Sequence, residues 1–151
     1  KKGDLREIED YLPAGSRDLV VSNPPYRAIK GGKVSSNQKQ AIARHEIKAK
    51  LEDVINAAAW SLKNGGSFNL VHICSRMPEV MSCLKAYNLE PKYLRLIQPR
   101  IHKSPDRFLI RARKNGNPGL KIGPVLVEYK NNSHEFTEEM KALYGEDNYE
   151  Y

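Results

Sequence analysis

The apolar run Leu19-Val20-Val21 ends at Asn23-Pro24-Pro25-Tyr26, and this junction constrains the fold more than any other segment of the sequence. The run over residues 18–22 predicts a buried strand. The two prolines lack amide donors and have fixed φ angles, so they make a rigid corner that cannot extend a sheet. Open α/β sheets bind ligands in the crevice at the carboxyl ends of their strands. A rigid corner at this position therefore predicts a binding site.

The chemistry of this corner suits a planar amino group. The Asn23 carboxamide oxygen and the Pro24 carbonyl can each accept a hydrogen bond from one NH2 group, and the Tyr26 ring can stack on the ring that carries it. The predicted catalytic residues are therefore Asn23, Pro24, Pro25 and Tyr26. The alternative interpretation is that an Asn before two prolines only initiates a turn.

The bulk composition indicates one globular domain. The chain has 151 residues, of which 40% are apolar and 28% charged. It contains no apolar run of the roughly 18 residues needed to span a bilayer, so no membrane partner is expected. Cys74 and Cys83 lack metal-ligand spacing and predict a reducing, cytoplasmic location, with a bridge between them as the alternative. The four histidines are scattered along the chain, and no metal site is expected.

The net charge of +7 is unevenly distributed. Residues 1–127 hold 23 Lys and Arg against 11 Asp and Glu, whereas residues 128–151 hold 2 against 7. The basic part favours a polyanionic partner, with nucleic acid as the first candidate. The alternative is that these cations only solvate helix faces. Residues 123–151 are predicted to form an acidic C-terminal extension.

The hydrophobic pattern predicts an α/β fold. Apolar residues at helical spacing indicate a long helix over 38–63, ended by Asn64-Gly65-Gly66, and a second helix over 77–87. Two adjacent strands without a helix between them suggest a mixed parallel sheet with an antiparallel edge pair and helices on both faces. The other predicted elements are a short helix at 5–12, strands at 67–73, 93–98 and 107–113, an extended segment at 123–129 and an acidic helix at 137–143.

Several segments together resemble one known family. The strand running into Asn-Pro-Pro-Tyr is similar to motif IV of the amino-directed S-adenosylmethionine methyltransferases. The chain as a whole looks like the bacterial adenine-N6 methyltransferases that modify position 37 of valine tRNA. The other matching segments are Ile42-Ala43-Arg44-His45-Glu46, Leu62-Lys63-Asn64-Gly65-Gly66-Ser67-Phe68, Leu89-Glu90-Pro91-Lys92 and Asn117-Pro118-Gly119-Leu120-Lys121.

This resemblance implies a Rossmann-like class I methyltransferase sheet, S-adenosyl-L-methionine as cofactor and tRNA as partner. It aligns Asp4 and Leu5 with the point after the family's third strand, where an acidic side chain commonly meets the cofactor's adenine. The implied cofactor-binding residues are therefore Asp4, Leu5 and Asn23. By this alignment residues 1–151 are the C-terminal portion of one domain, and the half that carries the cofactor loop is expected to lie outside the sequence or on another chain.

Basic side chains around the corner are the candidates for RNA contact. They are Arg27, Lys30, Lys33 and Lys39 near the entrance, Arg44 and His45 in the long helix, and Arg100 and Lys103 in a second basic turn. The alternative for each is an ordinary solvated charge, with Arg44 and Glu46 forming a helix pair and His45 half-buried.

Two rival functions remain open at this point. A glutamine-N5 methyltransferase of translation release factors also uses Asn-Pro-Pro-Tyr, since its acceptor is likewise a planar NH2 group. A non-catalytic RNA-binding module that lacks its cofactor half is the second rival.

Overall fold

The computed structural model describes residues 3–24 and 50–145, which form a six-stranded sheet with helices on both faces. Short 3-10 turns at Leu5–Asp10 and Cys74–Arg76 complete it. The strands are β1 (Arg17–Ser22), β2 (Leu62–Ile73), β3 (Leu89–Gln98), β4 (Arg107–Lys114), β5 (Lys121–Ile122) and β6 (Leu126–Val127), and the helices are α1 (Leu51–Ser61), α2 (Met77–Ala86) and α3 (Glu138–Tyr144).

The sheet is mixed, as the sequence predicts, but its antiparallel strand is not at an edge. The strand order is β1-β2-β4-β3-β5, and β6 also pairs with β3. β1 is parallel to β2, whereas β4 is antiparallel to both β2 and β3. The short turn at 99–106 allows β4 only to fold back beside β3, because a parallel connection needs a longer crossover. β4 is then inserted between β2 and β3. The predicted antiparallel pair is present, but the prediction that it lies at the edge of the sheet is wrong.

The end of the first helix differs from the sequence prediction. α1 ends at Ser61, and Leu62 already has the extended φ and ψ of a strand residue. Asn64-Gly65-Gly66 does not stop the helix but lies inside β2, where the pairing with β1 shifts register between Arg17 and Leu19. Gly65 has a φ of +77°, which a residue without a side chain adopts at no steric cost. The predicted helical residues 38–49 lie outside the described part of the chain.

The main core lies between one face of the sheet and helices α1 and α2. Alternate residues of β2 point into it, so Phe68 and Leu70 are fully buried while Asn69 is not. Pro78 in the first turn of α2 lacks an amide that would have no helical partner there, which fits the predicted helix start. The buried residues of this core include Ile55, Leu62, Phe68, Leu70, Val80, Leu84, Leu89, Phe108 and Ile110.

Helix α3 covers the opposite face of the sheet. Met140 packs there with Ile97 and Leu126, next to Leu109, whose neighbours along β4 face the main core. Thr137 begins the helix by accepting a hydrogen bond from the Met140 amide at 3.3 Å, and its hydroxyl donates to the Val127 carbonyl at 2.7 Å. The acidic helix predicted at 137–143 is confirmed, and residues 121–127 join the sheet through β5 and β6.

β1 lies at one end of the described sheet, and the side chains on one of its faces are exposed to solvent. The side chains of Leu19 and Val21 are 54% and 69% exposed, whereas Val20 between them packs against the core. No strand within residues 3–24 and 50–145 pairs with the outer edge of β1. The strand predicted as buried therefore has one apolar face open to solvent.

Lys114 ties the last turn of α1 to the end of β4. Its ammonium donates to the Ala59 carbonyl at 2.6 Å and to the Leu62 carbonyl at 2.8 Å. A cation at a helix C-terminus satisfies carbonyls that have no helical partner and interacts favourably with the helix dipole. We expect Lys114→Met to lower the free energy of unfolding by about 1–2 kcal/mol, measured by urea denaturation. The exposed Lys121 of β5 supplies the control, Lys121→Met; equal stability of the two variants would contradict this role.

Candidate functional site

The carboxyl ends of the parallel strands meet at one edge of the sheet. β2 and β3 are each antiparallel to β4, so they run parallel to one another and to β1. Asn23 follows β1, Cys74 follows β2, and the turn at 99–106 joins the end of β3 to the start of β4. The edge where open α/β sheets bind their ligands thus carries Asn23, Pro24 and the second basic turn together.

The predicted corner lies directly after β1. Ser22 is the last residue of the strand and pairs with Leu70, while β2 continues to Ile73 and so flanks the corner. Pro24 is buried, whereas Asn23 is exposed. The proline therefore fixes the backbone, and the asparagine is exposed at this edge of the sheet. The strand placement of the motif is confirmed, and Pro25 and Tyr26 lie outside the described residues.

Asp4 caps the 3-10 turn that precedes β1. Its carboxylate accepts a hydrogen bond from the Arg6 amide at 3.0 Å and forms an ion pair with the Arg6 guanidinium. The side-chain hydrogen bond from Arg6, followed by the backbone one, lowers the pKa of Asp4 to about 2. Asp4 is therefore an ionised acceptor at neutral pH, and Leu5 beside it is 42% exposed.

The segment that carries Asp4 runs alongside α1 in the same direction. At its far end the Trp60 indole donates to the Leu12 carbonyl at 3.0 Å. At its near end the bonded Asp4 raises the pKa of Arg6, and Asp53 in the first turn of α1 adds to the effect. Because α1 leads into the first residue of β2, its N-terminus lies toward the edge where β1 ends. Asp4 and Asn23 therefore lie toward the same edge of the sheet, the one at which the parallel strands end.

The second basic turn brings Arg100 and Lys103 to this edge in different roles. Arg100 donates to the Ser133 carbonyl at 2.8 Å, and its guanidinium carbon lies 5.6 Å from the centroid of the Tyr129 ring. Those contacts join the turn to the C-terminal segment. Lys103 is exposed. The other predicted RNA ligands, Arg27, Lys30, Lys33, Lys39, Arg44 and His45, lie outside the described residues.

A partly buried ion pair at this edge was missed in the sequence. Arg107, the first residue of β4, bonds to Glu128, which is buried, and to Asp106 at 3.2 Å. Burial acts against the charge of Arg107, but the bonds with Glu128 and Asp106 outweigh it and raise the pKa. The sequence offers one signal for this pair, because Glu128 directly follows the apolar segment 125–127. A carboxylate in such a position is rarely buried without a cationic partner.

The described residues offer no metal site and no disulfide. No group of three or more His, Cys, Asp and Glu side chains within 3–24 and 50–145 is arranged to hold a metal ion. Cys74 and Cys83 are free thiols, so the alternative of a bridge is wrong, and burial raises the pKa of both. In the same part of the chain, no helix has the length and apolar character to cross a membrane.

Comparison with solved structures defines the fold. A predicted O-methyltransferase from Agrobacterium tumefaciens superposes with a TM-score of 0.72 at 22% identity, covering 94% of this chain and 60% of that one. A candidate DNA modification methylase from Thermus thermophilus, solved with S-adenosyl-L-methionine, gives a TM-score of 0.53 at 17% identity, covering 93% and 59%. The chain therefore has the α/β fold of methyltransferase structures, which confirms the predicted fold class.

One protein of known function also resembles the chain in sequence. The tRNA1(Val) (adenine(37)-N6)-methyltransferase of Pedobacter heparinus is 27% identical over 111 residues, which are 74% of this chain and 47% of the relative. The resemblance inferred from the Asn-Pro-Pro-Tyr segment and its companions is confirmed by this match. The chain spans about half the length of that relative. No family model matches the chain.

His72 gives the fold a pH dependence that sequence inspection did not predict. It is buried near the end of β2, and its Nδ1 accepts a hydrogen bond from the Ile73 amide at 3.0 Å. Burial, and then the charge of Arg76, lower its pKa from the ordinary value of 6.5. The folded state therefore binds fewer protons than the unfolded state below that pH, so stability is complete above pH 6.5 and falls as the pH drops.

We expect the free energy of unfolding to fall between pH 7.5 and pH 5 by at most about 1.4 kcal/mol per pH unit from this group. His72→Phe should flatten the profile in urea denaturation over this range, even if its overall stability is lower. An unchanged slope in His72→Phe would assign the pH dependence to another group.

Proposed function

We propose that the protein transfers a methyl group from S-adenosyl-L-methionine to an exocyclic amino group, and that the acceptor is adenine N6 in a tRNA. The observation that carries this proposal is the position of Asn23 and Pro24 immediately after β1, at the ligand-binding edge of a methyltransferase fold. The relative from Pedobacter heparinus, a tRNA adenine-N6 methyltransferase, supports the choice of acceptor.

The acceptor chemistry follows from two carbonyl groups. The lone pair of an adenine amino nitrogen is delocalised into the ring, which makes it a weak nucleophile. The two N–H groups of this nitrogen would donate hydrogen bonds to the Asn23 side-chain oxygen and the Pro24 carbonyl. These bonds would favour a pyramidal nitrogen whose lone pair points at the incoming methyl. Pro24 is buried, its ring fixes its φ and the proline after it restricts its ψ, so the backbone sets the direction of this carbonyl before the substrate binds. Positioning and electrostatics then supply most of the rate enhancement.

The cofactor supplies a methyl group on a sulfonium centre, which leaves as a neutral thioether when the new N–C bond forms. The amino nitrogen gives up one proton to solvent, so a strong base is not required. Asp4 lies toward the edge that carries Asn23, and its carboxylate, which already pairs with Arg6, would accept hydrogen bonds from the cofactor. Asp4 and Leu5 would hold its adenine end, and Asn23 would lie beside its methyl group.

The remaining assignments extend the same proposal. Residues 1–151 would form the C-terminal portion of one methyltransferase domain, which agrees with an alignment over 94% of this chain and 60% of the Agrobacterium structure. Tyr26 would stack on the target base, with Pro25 completing the corner. The basic residues Arg27, Lys30, Lys33, Lys39, Arg44, His45 and Lys103 would bind RNA phosphates, and Arg100 would hold the turn beside them.

The choice of acceptor is tested by offering each candidate substrate in a separate reaction. The full-length protein is incubated with cofactor labelled in the methyl group and with a tRNA transcript, duplex DNA or a translation release factor. We expect label in the tRNA, retained as N6-methyladenosine after nuclease digestion. Label in DNA would favour the second candidate, an amino-directed DNA methylase, which the likeness to the Thermus structure supports. Label in the release factor would identify a glutamine methyltransferase.

The role of Asn23 is tested by its replacement. Asn23→Ala removes one acceptor from the amino group, and we expect kcat to fall by roughly 10²–10³-fold while tRNA affinity and the thermal midpoint stay near wild type. Asn131→Ala, at an exposed position in the loop before α3, is the matched control and should be fully active. Near-normal turnover of Asn23→Ala would remove the corner from the reaction.

A further inference from the structure

The turn between β3 and β4 is held rigidly at the same edge as Asn23. Within it the Lys103 amide donates to the Arg100 carbonyl at 2.9 Å, and the Gln98 side chain donates to the Ile101 carbonyl at 2.7 Å. At its base the Asp106 amide donates to the Ile97 carbonyl at 3.1 Å. These bonds fix the backbone on both sides of Ile101.

The C-terminal segment supports the turn from a second side. The Tyr129 amide donates to the Pro99 carbonyl at 3.1 Å, and Arg100 lies over the Tyr129 ring. Tyr129 itself stacks on Phe136, with ring centroids 4.9 Å apart. Arg100, the residue before the tip of the turn, contacts this aromatic pair. The tip therefore projects away from the pair.

Ile101 is the apolar residue at that tip. Its side chain is 66% exposed, and the next two residues, His102 and Lys103, are also exposed. A single exposed isoleucine is common and needs no explanation by itself. Here, however, it lies on a hydrogen-bonded turn, two residues before the exposed cationic side chain of Lys103. This combination is typical of surfaces that contact both base planes and phosphates.

The position of the turn suits nucleotides that flank the target. In the strand order β1-β2-β4-β3, the turn lies two to three strand positions from β1. At about 4.8 Å between strands, Ile101 is roughly 10–14 Å along the edge from the corner at Asn23. That distance corresponds to about three or four stacked nucleotides at 3.4 Å each. A base that leaves its stack exposes the apolar faces of its neighbours to water. Contacts with the protein have to replace the stacking free energy that is lost.

We propose that Ile101 packs against bases within three or four nucleotides of the target adenine and stabilises the RNA with that adenine out of its stack, while Lys103 binds a neighbouring phosphate. This inference rests on the proposed function. Ile101 is in this sense a positioning residue: it does not touch the reacting atoms, but it raises the fraction of bound RNA that is ready for transfer.

The control comes from a second exposed isoleucine. Ile122 is 72% exposed and lies on β5, which pairs with the middle of β3 at the other end of the sheet from β1. Ile122→Ala removes the same atoms from a similarly exposed site that does not lie at the ligand-binding edge. Any general effect of losing exposed apolar surface will therefore appear in both variants.

The test uses the full-length protein and an anticodon stem-loop with 2-aminopurine at the target position, whose fluorescence rises when the base unstacks. Wild type and Ile122→Ala should give this rise on saturation with protein. Ile101→Ala should lose most of it, with RNA affinity changed less than about threefold, because phosphate contacts dominate affinity. With unmodified tRNA, Ile101→Ala should lower kcat/KM about tenfold, and Ile101→Met should recover most of the loss.

Lys103→Ala should give the opposite signature. Removing one phosphate contact should reduce the slope of log affinity against log salt concentration by about one, while the fluorescence rise at saturation remains. Circular dichroism confirms that each variant is folded.

The outcomes separate this inference from the proposed function. If wild type methylates tRNA but Ile101→Ala matches it in fluorescence and kcat/KM, the role of Ile101 is overturned and the proposed function stands. Failure of Ile101→Met to recover activity in a folded protein would also overturn that role. If wild type neither binds nor methylates RNA, the proposed function fails and this inference fails with it.

Discussion

β4 pairs from Arg107 to Arg113 with β2 on one side and with β3 on the other. Because it is antiparallel to both, those two strands must run in the same direction, and β1 follows through its parallel pairing with β2. This single inserted strand therefore brings the carboxyl ends of β1, β2 and β3 to one edge. It also carries Phe108 and Ile110 into the main core and Leu109 into the smaller one, so both layers of helices depend on it.

The candidate site benefits from that arrangement in two ways. The corner at Asn23 is held by the end of a strand whose partner continues past it, and this pairing fixes the backbone that leads into Pro24. The turn at 99–106 is held by hydrogen bonds and by the Arg100–Tyr129 contact, which couples it to the C-terminal segment. The ion pair between Arg107 and Glu128 makes the same connection at the base of the turn.

Local sequence signals predicted the elements well where a single residue type decides the backbone. β1 ends at Ser22, just before the predicted corner, Pro78 marked the start of α2, and Thr137 marked the start of α3. The prediction failed at Asn64-Gly65-Gly66, because strand pairing with β1 incorporates these residues as an irregularity in β2. It also misplaced the antiparallel strand, since the order of strands in a sheet depends on contacts between distant residues. Arg107, Glu128 and the buried His72 were missed for the same reason.

The sequence by itself determined the α/β class, the strand that leads into Asn-Pro-Pro-Tyr and the resemblance to amino-directed methyltransferases, because these depend on residue type and short-range spacing. Only the tertiary structure decided which groups share the edge. Asn23 and Ile101 are far apart in the chain, and they come to the same edge only because a parallel connection and one inserted antiparallel strand fix the direction of every strand. Asp4 lies toward that edge because its segment packs along α1. It also decided that Arg100 supports the turn while Lys103 and Ile101 face solvent, since that depends on where the Tyr129 ring packs.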